Sequence, residues 1–131
     1  MVGRSELVSV FRHHTAESQV MKEPFDFNSA KVLVAIYAVE CGFKSLLLKQ
    51  CRMQATNELE SKYITHDLNI LSQACCRKKL FPEQMTLLSK HHIAIEALHQ
   101  ALRYGLRLHD DSKKSIIRAI RIAINYIEES L

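Results

Sequence analysis

Between Lys31 and Lys49 the chain reads KVLVAIYAVECGFKSLLLK, and on a helical wheel its apolar side chains occupy almost the whole circumference. Val32, Ile36, Val39, Phe43, Leu46 and Leu47 form one stripe, while Val34, Ala38, Cys41 and Leu48 fill much of the rest. A helix that is apolar nearly all round is a buried one, so this segment predicts a central helix with the other elements packed around it. Glu40 and Lys44 interrupt the pattern one turn apart. Acid before base at i,i+4 is the favourable order, which predicts a paired, partly buried couple.

The flanking segments have narrower patterns. Leu7, Val8 and Phe11, followed further on by Val20 and Met21, predict a first helix over residues 5–23, closed by Pro24. Phe25 and Phe27 are expected to pin the connection, and Asn28 or Ser29 to cap the central helix, which has no breaker before about Ala55. Residues 56–62 are polar and read as a loop. Thr65 is the expected cap of a short third helix with Ile64, Leu68, Leu71 and Cys75 spaced for one face. Pro82 suits the first position of a fourth helix running to Arg103, with Leu87, Leu88, Ala94, Ile95, Leu98, Ala101 and Leu102 as its buried stripe. Gly105 ends or bends it, residues 106–111 form a junction, and Asp111 or Ser112 caps a last helix with Ile116, Ile120, Ala123, Ile124, Ile127 and Leu131 inward. The fold class is therefore all-α, an up-down bundle of about five helices within one domain over residues 1–131, with the core bundle in residues 28–131.

Composition agrees with few, long elements, since 131 residues contain only three Gly and two Pro. The opening MVGRSELVSVFRHH has no sustained apolar run before its charges, and the longest such run, Val32 to Val39, is too short for a bilayer. Cys41, Cys51, Cys75 and Cys76 form no C-x-x-C pair. They are expected to be reduced thiols, mostly filling the core, in a cytoplasmic protein without membrane contact. The net charge of +4 is concentrated: Arg103, Arg107, Lys113, Lys114, Arg118 and Arg121 face only Asp110 and Asp111 in their stretch. Such a local excess attracts polyanions more than the same charge spread evenly.

Candidate chemistry is sparse. No Gly-rich phosphate loop, nucleophile elbow or catalytic carboxylate pair is present. His92, Glu96 and His99 recur at helical spacing on the fourth helix, but two turns span about 10 Å, and they read as an exposed polar stripe. The adjacent pairs His13–His14 and His91–His92 point about 100° apart on a helix and receive no role, so no metal or other cofactor is expected. Arg103-Tyr104-Gly105-Leu106-Arg107-Leu108-His109 leads into the basic helix. There His109 is placed to take a proton from a ribose 2′-OH while Arg103 stabilises charge on phosphoryl oxygens.

Three segments resemble the HEPN family (higher eukaryotes and prokaryotes nucleotide-binding), small helical bundles of microbial defence and toxin–antitoxin systems. Residues Tyr37 to Lys49 are similar to the family's second helix, with its Glu and Lys four apart. Thr65 to Leu71 resembles the His-Asp-Leu entry to the next helix, and LRYGLRLHDD resembles the C-terminal Arg motif. The resemblance implies two alternatives. Nuclease members carry Arg, four to six residues and then His, which meet across a homodimer to form a metal-independent endoribonuclease site. Arg103 and His109 fit that spacing. The residue after the Arg is usually small and polar in those nucleases, whereas an Arg-Tyr pair such as Arg103-Tyr104 is common in members thought to bind nucleotides or partner proteins. Glu40, Lys44 and His66-Asp67-Leu68 look more like the second group.

The reading these features favour is a homodimeric module whose basic C-terminal region binds nucleotide, RNA phosphate or a cognate partner protein. Arg103 and Tyr104 would contact the ligand, with Arg107, Arg118 and His109 around them. The rivals are the endoribonuclease using Arg103 and His109, and a purely structural interaction subunit.

Overall fold

In the computed structural model, which describes residues 2–131, five α-helices and one small hairpin form an all-α bundle. Helix α1 spans Arg4–Ser18 and α2 spans Ser29–Gln50. Two 3-10 turns then lead to α3 (Leu68–Cys76). A hairpin of β1 (Gln84–Thr86) and β2 (His92–Ala94) precedes a 3-10 turn and the short α4 (Leu98–Arg103), and α5 (Asp110–Ser130) closes the chain.

Helix α2 is the centre. Thirteen of its residues are buried, on every side of the helix, and it touches α1, α3, α4 and α5. Asn28 starts it, its side-chain oxygen accepting from the Lys31 N–H at 3.1 Å. Gly42 lies where three helices meet: a Cβ there would come within 2.8 Å of both Phe11 on α1 and Ile127 on α5. The close approach of the outer helices to α2 therefore depends on a missing side chain.

Several boundaries differ from the sequence expectation. Helix α1 stops at Ser18, not Glu23: Gln19 takes a left-handed conformation (φ 58°) and Val20 turns fully into the core. The apolar pattern lapses after Phe11, so nothing holds a further helical turn against α2. Helix α2 ends at Gln50, before Ala55, and the chain pairs Gly3 with Ala55 instead. Asp67 caps α3, its carboxylate accepting from the Asn69 and Ile70 N–H groups, while Thr65 accepts from the Asp67 N–H. Helix α5 is capped by His109, whose Nδ1 accepts from the Asp111 N–H at 3.2 Å, and not by Asp111 or Ser112.

The largest correction is the helix expected from Pro82 to Arg103, of which only Leu98–Arg103 is α-helical. Met85 pairs with Ile93 in an antiparallel hairpin, with Lys90 at φ 71° in its turn. Ser89, Lys90, His91 and His92 form a polar run longer than one turn, which leaves a helix no core face there. Met85 and Leu87 alternate with Gln84 and Thr86 as a half-buried strand requires. The hairpin also ties down the α4–α5 junction: the Leu88 N–H donates to Arg107 O, the His109 N–H to Thr86 O, and the Thr86 N–H to Ser112 Oγ.

Candidate functional site

The Glu40–Lys44 pair forms as its spacing predicts, with 3.1 Å between Lys44 Nζ and Glu40 Oε2. Glu40 is only 7% exposed, and a buried carboxylate needs partners for both oxygens. The second partner is His66, at the entry to α3, 2.8 Å from Glu40 Oε1 through its Nδ1. The carboxylate only accepts, so His66 Nδ1 carries the proton.

His66 in turn stacks on His99 of α4, with ring centroids 4.1 Å apart and planes 35° from parallel. His99 donates from Nδ1 to the Glu96 carbonyl at 3.1 Å. Both rings thus have Nδ1 engaged, and neither Nε2 has a protein partner among the described residues. Burial pushes the His99 pKa below its usual 6.5, and the neighbouring His66 and Arg103 push the same way against the Glu96 carbonyl and Glu40. At neutral pH His99 therefore offers a free lone pair at Nε2.

Arg103, one turn after His99 on α4, completes a groove of about 320 Å3 whose walls also include His14, Leu33, Ile36 and Tyr37. Arg103 is exposed, and its guanidinium has no ion pair or hydrogen bond among the described residues. The groove thus joins a wall of apolar and aromatic side chains to an unpaired guanidinium and two imidazole edges. That combination suits an anion carried on a flat or apolar body.

The other candidate residues do not line it. Tyr104, 76% exposed, closes the end of α4. Arg107 is exposed in the junction, where its carbonyl accepts from Leu88. His109 has its Nδ1 occupied as the cap of α5; with that nitrogen accepting, the neutral ring carries its proton on Nε2 and has no second lone pair to act as a base. Arg118 lines a different, more open groove of about 440 Å3 along α5, with Lys113, Lys114, Arg121 and Phe27. Arg121 is engaged by its own chain: Nε donates to Val20 O, Nη2 to Lys22 O, and Nη1 to Glu23. The positive excess seen in the sequence is thus divided between two grooves, the exposed junction and an internal tie, with Arg103 and Arg118 in separate grooves.

Sequence reasoning passed over His66 and His99 as site residues. His92, Glu96 and His99, expected on one helix, lie on β2, the following 3-10 turn and α4. The signal that leads to them is the charged pair inside an otherwise apolar helix, since such a carboxylate requires polar company from elsewhere in the chain.

The thiols of Cys41 and Cys75 are buried, and burial pushes the Cys75 pKa up to about 12, which keeps it a thiol. No helix among the described residues is long and apolar enough to cross a membrane. No family model, curated protein or solved structure matches the chain.

Proposed function

We propose that this chain is a HEPN-like module that binds a nucleotide or an RNA phosphate in the groove between α2, the entry to α3, and α4. One observation carries the reading. The three segments that resemble the family are far apart in sequence, yet each contributes to this one groove: Tyr37 and Glu40 from the first, His66 from the second, Arg103 from the third. Arg103 supplies a fork of N–H donors for phosphate oxygens, His99 and His66 present Nε2 edges beside it, and Leu33, Ile36 and Tyr37 receive the apolar part of the ligand. A homodimer and a role in microbial defence or a toxin–antitoxin pair are the context that the resemblance implies for such a module.

The test is a titration of AMP and of a short single-stranded RNA at low and high salt. Binding that weakens with salt and drops at least tenfold in Arg103→Ala is the expected result. No binding at low salt removes the reading and leaves the structural interaction subunit; equal binding by Arg103→Ala removes this groove and leaves the one along α5.

The depressed pKa of His99 with its free Nε2 favours one second reading, a metal-independent endoribonuclease. His99 rather than His109 would be its general base, with Arg103 stabilising the charged phosphoryl oxygens. Cleavage of single-stranded RNA in EDTA that disappears in His99→Gln and Arg103→Ala but survives His109→Ala supports it. Intact RNA with the wild-type protein removes it.

A further inference from the structure

A second cluster, on α1, meets the groove only at His14. His13 and Glu17 stand four residues apart and so share a face, and His13 Nε2 lies 3.1 Å from a Glu17 carboxylate oxygen. Their side chains are 71% and 54% exposed, free to adjust at little cost. His14 is turned away around the helix, yet its ring approaches that of His13, with centroids 5.3 Å apart and planes tilted by 55°. The two rings thus come closer than the 100° between their Cβ directions suggests. One ligand atom from each of His13, His14 and Glu17 lies within 4.8 Å of the other two.

Metal–nitrogen and metal–oxygen bonds of about 2.0–2.2 Å in a tetrahedral shell put neighbouring ligand atoms about 3.3–3.5 Å apart. The His13–Glu17 contact is already near that spacing, and the remaining distances close with side-chain movements of about 1.5 Å or less. His14 Nδ1 is buried and has no hydrogen-bond partner among the described residues, so no protein contact competes for that nitrogen. Two imidazoles and one carboxylate are the donor set of a borderline-soft divalent ion with a coordination position left for water.

We propose that His13, His14 and Glu17 bind one divalent transition-metal ion of the zinc class. The site shares His14 with the wall of the phosphate groove, while His13 and Glu17 lie outside that wall, so substituting those two tests the metal site alone. Arg12 and Arg4 share a shallow hollow with His13, and their charge weakens the hold on a dication without blocking the ligand atoms.

The experiment uses tag-free protein at pH 7.5, titrated with Co2+ as a spectroscopic probe and then with Zn2+. One equivalent of Co2+ should bind, give visible d–d absorption without a thiolate charge-transfer band, and be displaced by Zn2+. Affinity should fall at least tenfold in His13→Ala and also fall in Glu17→Gln, exposed positions where circular dichroism should show an unchanged fold. His91→Ala should bind as the wild type does. Undiminished binding by His13→Ala, a thiolate band, loss of binding in His91→Ala, or no binding of either ion overturns the proposal.

Discussion

The two cation-bearing grooves differ in what stands behind their charges. In the groove along α5, Lys113, Lys114 and Arg118 sit on the outside of an amphipathic helix, and Arg121 is consumed by the turn at residues 20–23. Lys113 is itself occupied, 5.3 Å from the Phe27 ring and 3.8 Å from Asp110. In the groove at α4, the single cation Arg103 has no partner of its own, while behind it a buried carboxylate, a half-buried ammonium and two imidazoles are linked from Lys44 through Glu40 and His66 to His99. More positive charge thus lies along α5, but the organised polar chemistry lies at α4. Charge count alone points to the first, and the linkage of polar groups around a buried carboxylate points to the second.

Substitutions should separate the two regions. Lys44→Met leaves Glu40 buried with only His66 beside it, and removing one partner of a buried carboxylate costs about 2 kcal/mol. Urea unfolding should register that loss, whereas Lys114→Met on the exposed side of α5 should change stability by no more than about 0.5 kcal/mol. Equal effects would erase the distinction. Arg121→Ala removes three charge-assisted bonds to residues 20–23 and should cost about 2 kcal/mol while leaving nucleotide affinity unchanged. A loss of affinity without a loss of stability would instead make the α5 groove the binding surface.

The smallest effect is that of pH. His99 is held below its usual pKa in the free protein, so its neutral form favours the fold. That contribution is complete above about pH 6.5 and is lost as the pH falls through the lower folded value. Thermal melting should show this acid-side loss diminished in His99→Gln. Binding has the opposite sign, because a phosphodiester favours the imidazolium: affinity for RNA should rise a few-fold from pH 7.5 to 5.5, less steeply in His99→Gln. Affinity that does not depend on pH would remove His99 from the ligand's surroundings.

Much of the bundle was legible along the chain because its long helices have uninterrupted periodicity. Lys31 to Lys49 reads as central, and it is; Ile116 to Ile127 reads as one inward stripe, and those residues are buried. The segment after Pro82 misleads because Leu87, Leu88, Ala94 and Ile95 match a helical stripe in number while the polar run between them breaks it. The site was legible in its parts only. Arg103 and the Glu40–Lys44 pair stand out in the sequence, but the stacking of His66 on His99 depends on the hairpin and the shortened α4, which bring together residues 33 apart in the chain. His109 attracts attention by its spacing from Arg103, and its actual use as a helix cap is a property of the turn it occupies.

The most direct measurement is a titration of isotopically labelled protein with AMP, followed by NMR. The account predicts that the imidazole signals of His66 and His99 and the amides around Glu40 and Arg103 shift together and saturate at one equivalent. Shifts confined to Lys114, Arg118 and Asn125, with both imidazoles unmoved, would contradict it.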